Sequence, residues 1–295
     1  KTVKGPEGEL RQRMVEMFED SEFSDLTVTV VGMNGGESQN FCLHRCILTH
    51  SSVYFRGMLT RDFKEAEQEK VKVQVAPGSS VAATGQVLRY LYTSEIDIDG
   101  NTVLEILAAA DLLQVDSLRA ACVDFLDNSL CNANACTIWK ASRNLELTDL
   151  DGKAKEFFFE HAEKVLTAGG FDELPKAMVV SLLADEKLNA KEESLFEAVV
   201  TWGESNKGSG TVCDAVADLL PHLRFDEMPH AFLHQRVRQS GLVSKDVICD
   251  AVMKMMDEKT DKYEPGTKRA FAFDDQGGSS SGAGSGRAKK RRRIG

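Results

Sequence analysis

The 295-residue chain is acidic, and its charge is unevenly distributed along the sequence. It is 42% hydrophobic and 28% charged, as in ordinary globular proteins with packed cores, and its length suits two domains of about 100–200 residues each. Residues 287–295 contain six cations and no acid, so removing those six from the net charge of −10 leaves residues 1–286 at −16. A body this acidic repels a phosphate backbone, which excludes a basic nucleic-acid-binding surface on the folded part.

No apolar run approaches the roughly 18–20 residues that span a bilayer, and no apolar signal segment opens the chain. We therefore predict no membrane association. Because the first residue is Lys1, we expect the chain to be a fragment of a longer protein. Its seven cysteines form no CxxC pair and mostly lie in apolar patterns such as "AACVDFL". That pattern is typical of free, buried thiols in a reducing, intracellular compartment.

The first half of the chain predicts an α+β domain. Apolar residues at helical spacing predict a helix over residues 9–20. Alternating residues from Leu26, a Gly/Asn cluster at 32–36 and a second apolar run predict a β-hairpin with a long loop. Residues 71–75, "VKVQV", predict a third strand. Helical patterns dominate onwards to residue 128, with Ser79 or Ser80 as the expected N-cap.

From Cys131 to about Asp257 no segment has the pattern of a strand, so we predict an all-helical second domain built from helix pairs. Residues 264–295 are rich in Gly and Ser and end in "RAKKRRRIG", which predicts a flexible tail with a basic cluster. The cluster is typical of a nuclear import signal that binds an import receptor. Nonspecific nucleic-acid contact and an engineered addition are the alternatives. Its cations are Lys289, Lys290, Arg291, Arg292 and Arg293.

The segment "FCLHRCILTH" places four potential metal ligands, Cys42, His44, Cys46 and His50, within ten positions. Their spacing differs from the pairs of ligands, separated by about two to four residues, that structural zinc sites use. A continuous strand would place Cys42, His44 and Cys46 on one face, but the change from strand to helix near residue 45 breaks that arrangement. We therefore predict that these residues serve packing and that the protein binds no metal and no other cofactor.

Several motifs, in order and at the right separations, resemble the BTB/POZ family over residues 9–128. They are "FSDLTVTV", "FCLHRCILTHSSVYFRGML" and "LRYLYTSEIDI". Residues 129–257 resemble the BACK domain that commonly follows BTB, through "NANACTIWKASRNLEL", "EESLFEAVVTWGES" and "LLPHLRFDEMP". The chain shows neither a repeat of about 50 residues typical of kelch blades nor a MATH domain. We therefore expect the surface of the BACK domain, or a segment outside this sequence, to capture a substrate.

The resemblance implies a binding site for the N-terminal domain of cullin-3. Adaptors of this type carry an apolar residue, any residue and then Glu in the loop before a strand, and Phe63-Lys64-Glu65 stands at that place. By resemblance, Phe63 enters an apolar pocket, Glu65 accepts hydrogen bonds, and Leu59 lies on the preceding helix. An apolar anchor beside a charged rim residue is also typical of an energetic hot spot. The alternative is that "FKEAEQEK" is a solvated charge run.

The resemblance also implies a homodimer. Leu10, Met14 and Met17 match the family's dimer helix, with Ile47 facing them across the twofold axis; an exposed apolar stripe marks an interface. Asp25 and Arg45 match a charged pair in a pocket at that interface, where ion pairs favour specificity more than stability. The alternatives are a helix that packs only on its own domain and two solvated surface charges.

No catalytic motif has the structural context that it needs. "GSSSG" matches G-x-S-x-G but lies in the Gly/Ser tail, without the strand-turn-helix that exposes a serine. We therefore predict that the protein is not an enzyme. The sequence favours a dimeric adaptor or scaffold that recruits an unidentified protein substrate to a cullin-3 ubiquitin ligase, in the nucleus and also in the cytoplasm. The alternative is a nuclear BTB dimerisation scaffold or transcriptional co-regulator without cullin binding.

Overall fold

The structure is a computed structural model. It describes residues 9–18, 20–33, 35–60 and 68–261, with side chains as far as Met256. Within these residues it confirms the predicted α+β class, a small sheet with helices followed by a helical region.

The sheet has three strands in the order β2–β1–β3, formed by β1 (Leu26–Val31), β2 (Ser38–Leu43) and β3 (Lys70–Gln74). The β1 and β2 strands form the predicted antiparallel hairpin, and β3 pairs in parallel on the other side of β1. Alternate residues of β1 are buried, which is the pattern of a strand with one face on the core.

Helices cover one face of this sheet and complete the first domain. Ser80 caps the helix that begins at Val81, since its hydroxyl accepts a hydrogen bond from the Ala83 amide at 3.1 Å, as N-cap serines do. The first-half helices are α1 (Glu9–Met17), α2 (Arg45–Ser51), α3 (Val53–Met58), α4 (Val81–Thr93), α5 (Val103–Leu112) and α6 (Asp116–Asn128).

The second domain is helical throughout its described residues, as the sequence predicts. Short 3-10 turns join several of its helices, and a π-helical turn, Leu233–Val237, lies between α13 and α14. Its helices are α7 (Ala135–Asn144), α8 (Thr148–Glu160), α9 (Ala162–Ala168), α10 (Lys176–Leu183), α11 (Glu192–Asn206), α12 (Val212–Val216), α13 (His230–Phe232), α14 (Arg238–Ser240) and α15 (Lys245–Asp261).

The two domains meet where α6 lies against the start of the helical half. Arg119 of α6 donates to the Leu145 carbonyl at 3.4 Å, and Asp127 of α6 pairs with Lys153 of α8. Buried apolar side chains form one continuous cluster that extends from Leu26 to Ala251. The domains therefore share a core rather than a bare linker.

The cysteines differ from the sequence prediction. All seven are free thiols, but only Cys122 and Cys136 are buried, while Cys46, Cys131, Cys213 and Cys249 are exposed. The prediction of mostly buried thiols is wrong because Cys46, Cys213 and Cys249 lie on the solvent-facing sides of their helices and Cys131 lies between two helices. No helix among residues 9–261 is long and apolar enough to cross a membrane.

Candidate functional site

Helix α3 presents a partly apolar surface immediately before the segment with the predicted cullin motif. The Ser52 hydroxyl caps the helix by accepting from the Phe55 amide at 3.2 Å and donates to the Leu113 carbonyl at 2.6 Å. Phe55 is fully buried, and Leu59, the C-cap residue, is half-buried. Tyr54 packs edge-on against Phe55 at 5.4 Å, and its partial burial raises its phenol pKa. The buried face of the helix is thus fixed by Phe55, and its partly exposed face carries the apolar residues Tyr54 and Leu59.

Phe63 and Glu65 lie outside the described residues, so their role stays a prediction. Hydrogen bonds hold the residues on both sides of this segment. Leu59 is held by the bond from its amide to the Phe55 carbonyl at 2.9 Å. On the other side, the Gln68 carbonyl accepts a hydrogen bond from the Arg45 guanidinium, and Lys70 begins β3.

Helix α1 lies against the first domain with one face and exposes the other. Its end is fixed by Phe18, whose ring packs edge-on against Tyr92 at 5.4 Å. Met14 and Met17 are half-buried against the core, whereas Leu10 is 72% exposed. The helix therefore packs on its own domain and still leaves Leu10 available to a partner.

The predicted charged pair is brought together. The Asp25 carboxylate accepts from the Arg45 backbone amide at 2.8 Å, and the Arg45 Nε donates to the Asp25 carbonyl at 3.4 Å. Asp25 is exposed and Arg45 is half-buried, while Ile47 on the same helix is half-buried against the core. The interface role of these residues stays a prediction.

Sequence reasoning missed two exposed apolar residues near these surfaces. Phe23, in the turn before β1, is 71% exposed, and Val53, the first residue of α3, is 53% exposed. Phe23 stands alone among polar residues in "EDSEFSD", and an isolated aromatic residue in a polar turn is the signal that could have identified it.

Two of the four potential metal ligands, His44 and His50, make separate hydrogen bonds within the fold. The His44 amide donates to the Tyr92 hydroxyl at 2.8 Å, and the His44 Nδ1 lies 3.1 Å from the same oxygen. Burial raises the pKa of Tyr92 to about 12, although the His44 amide opposes this, so the phenol keeps its proton. His50 Nδ1 donates to the Cys46 carbonyl at 2.8 Å. Over the described ranges, no three Cys, His, Asp or Glu side chains are grouped to hold a metal.

Two family models match the chain in this order. The BTB/POZ domain model matches residues 14–130, and the model described as BTB And C-terminal Kelch, the BACK domain, matches residues 135–238. The chain is a BTB–BACK protein. This confirms the resemblance found in the motifs. The hairpin and α3 belong to the BTB domain, and the helical half contains the BACK domain.

The BTB–BACK protein is similar to Kelch-like proteins over this region. Kelch-like protein 3 of Pongo abelii is 31% identical over 207 residues, which cover 70% of this chain and 34% of the relative. Kelch-like protein 40 of Xenopus laevis is 27% identical over 79% of the chain and 36% of the relative. Kelch-like protein 2 of Homo sapiens is 30% identical over 75% and 36%. The BTB–BACK protein thus spans about a third of these relatives.

Among solved structures, the BTB domain of human gigaxonin is 20% identical and covers 43% of the BTB–BACK protein, with 98% of that domain matched and a TM-score of 0.33. The domain assignment rests on the two family models.

The exposure of Leu10 on α1 leads to a prediction about dimerisation of the BTB–BACK protein. Leu10→Glu should weaken a homodimer about a hundredfold or more, because each copy loses about 1.5–3 kcal/mol of leucine burial and adds a charge at a twofold interface. Size-exclusion chromatography with light scattering measures the mass against the 32.4 kDa protomer.

Val247→Glu is the matched control, because Val247 is 42% exposed on α15 and has no predicted interface role. A Leu10→Glu protein that stays as dimeric as the wild type would show that α1 packs only on its own domain.

Proposed function

We propose that this BTB–BACK protein is a non-catalytic, dimeric adaptor of a cullin-3 RING ubiquitin ligase that recruits protein substrates for ubiquitination. One observation carries the proposal. The buried anchor Phe55 and the half-buried Leu59 on α3 lead directly into Phe63-Lys64-Glu65, inside a BTB domain that a BACK domain follows. An apolar residue followed closely by an acidic one, in a segment that a packed helix precedes in the sequence, suits a compact hot spot.

The relatives support the same function. They are Kelch-like proteins that share both domains with this chain, and the similarity covers the BTB and BACK regions together. The adaptor role needs no catalytic group, because it consists of holding two proteins near each other.

Calorimetric titration with a purified cullin-3 N-terminal domain tests the proposal. The wild type should bind, and the double variant Phe63→Ala, Glu65→Lys should weaken binding about thirtyfold or more, since hot-spot residues contribute about 2 kcal/mol or more. Lys64→Ala is the matched control: it lies between the two positions, where the motif accepts any residue, and should bind within about twofold of the wild type.

Two outcomes would overturn the adaptor proposal. The first is a folded wild type that does not bind the cullin domain. The second is a double variant that binds as tightly as Lys64→Ala, which would place the contact elsewhere.

A nuclear dimerisation scaffold or transcriptional co-regulator is the second candidate, favoured by the basic run Lys289–Arg293. That run, on a chain whose remainder is acidic, suits an import receptor and supports a nuclear as well as a cytoplasmic location. A dimeric wild type without cullin affinity would favour this candidate.

A further inference from the structure

The helical domain contains an open cleft between α9, the turn Phe171–Glu173, α11 and α13. Its cavity has a volume of about 380 Å³, within the size range of ligand pockets. None of the predicted site residues lines it. Its apolar lining comes from Leu166, Phe171, Ala198 and Phe232.

The floor of the cleft is firmly packed. Phe171 is 3% exposed and contacts the fully buried Phe158 with ring centroids 6.4 Å apart. Phe232 packs edge-on against Phe196 of α11 at 5.9 Å. These rings have fixed positions and leave space above them for an apolar side chain.

Hydrogen bonds fix the walls around that floor. Glu163 of α9 accepts from the Ser194 hydroxyl at 2.9 Å and from the Lys191 amide. Asp172 accepts from the Ser205 hydroxyl of α11 at 3.1 Å. These bonds hold the walls of the cleft in place, and a preformed site reduces the ordering cost of binding.

The rim of the cleft is acidic. Asp172, Glu193 and Glu197 line it, and its described lining residues include no Lys, Arg or His. Glu197 forms a bidentate pair with Arg236 at 2.6 and 2.7 Å, whereas Glu193 has no cationic partner in the part of the chain that the structure describes. Because Arg236 already balances the charge of Glu197, Glu193 is the carboxylate on this face of α11 at which a further cation would gain an ion pair.

We propose that this cleft binds a short basic segment of a partner protein, with one apolar side chain in the cavity and flanking Lys or Arg side chains at Glu193 and Asp172. The net charge of −16 over residues 1–286 adds a long-range attraction for such a segment. The inference rests on the proposed adaptor function and names its substrate class, proteins with an apolar residue inside a basic run.

Fluorescence anisotropy with the full chain tests the proposal at about 0.15 M salt, where surface charges more than about 8 Å apart are largely screened. The probe is the labelled peptide KRKLKRK, and KRKGKRK is its partner without the apolar side chain. The leucine peptide should bind about tenfold or more tightly than the glycine peptide, because only leucine fills the cavity. Equal binding of the two peptides would reduce the cleft to a diffuse acidic surface and overturn the proposal.

Protein variants locate the binding site. Glu193→Lys should weaken the leucine peptide about tenfold or more, and Glu193→Gln should do so several-fold and preserve the shape of the site. Glu156→Lys makes the same charge change on α8, outside the cleft, and should have less effect. Glu193 variants that match Glu156→Lys would contradict the proposal.

Two further variants test whether the chain's own tail or the cullin surface takes part in peptide binding. Replacing Lys289–Arg293 by serines in the full chain should leave peptide affinity unchanged. A rise of tenfold or more would identify the chain's own basic run as the occupant and overturn the partner proposal. The Phe63→Ala, Glu65→Lys variant should keep peptide binding, so failure at the cullin surface and failure at the cleft are distinguishable.

Discussion

Phe55→Ala should lower the free energy of unfolding by about 3–5 kcal/mol, as alanine replacements of buried phenylalanine do. Phe55 is fully buried in α3, where its amide also bonds to the Ser52 cap. Its ring packs edge-on against the ring of Tyr54. The loss should therefore destabilise the BTB domain and displace the apolar surface of α3.

Urea unfolding followed by circular dichroism measures this effect. Val53→Ala is the matched control, because Val53 is 53% exposed on the same helix, and it should change stability by less than about 0.5 kcal/mol. A Phe55→Ala loss below about 1 kcal/mol would show that the core collapses around the missing ring, contrary to a rigidly packed site.

Trp202→Ala should cost about 3–5 kcal/mol in the BACK domain. Trp202 is 4% exposed, and its indole Nε1 donates to the Leu174 carbonyl at 2.7 Å. This bond ties α11 to the segment that follows the turn Phe171–Glu173. The variant should therefore also loosen one wall of the acidic cleft.

Trp202→Phe separates packing from the hydrogen bond. It retains most of the aromatic contact but leaves the Leu174 carbonyl without its donor, which should cost about 1–3 kcal/mol. Denaturant unfolding should rank the wild type above Trp202→Phe and Trp202→Phe above Trp202→Ala. Equal losses in both variants would assign the whole effect to the hydrogen bond. The chain has two tryptophans, so Trp139 supplies the fluorescence signal in both variants.

Much of the fold follows from patterns local to the sequence. Alternation marks β1 because its odd and even residues face different environments, and the switch to helical spacing after His44 marks α2. The serine before Val81 marks the start of α4 because a hydroxyl there satisfies a free amide. The parallel pairing of β3 with β1 does not follow from such patterns, because register is set by contacts between distant segments.

The surfaces were predictable to different degrees. Helical spacing placed Leu10 on α1, and the resemblance to the BTB/POZ family implied the Asp25–Arg45 pair. The acidic cleft could not be predicted, because residues from Leu166 to Phe232 come together only after four elements pack. The exposure of single residues was equally hard to predict. Cys249 lies in an apolar pattern but is exposed, because the linear pattern does not show which face of the helix is turned to solvent.

The contacts of α6 with the helical domain constrain the distance between two surfaces of the molecule. The Asp127–Lys153 pair and the bond from Arg119 to Leu145 join the two domains over a shared core, so these contacts oppose changes in the span from α3 to the acidic cleft. In a twofold assembly, two such spans would set one separation between the clefts. A ligand with two basic segments would then gain avidity only when its spacing matches that separation.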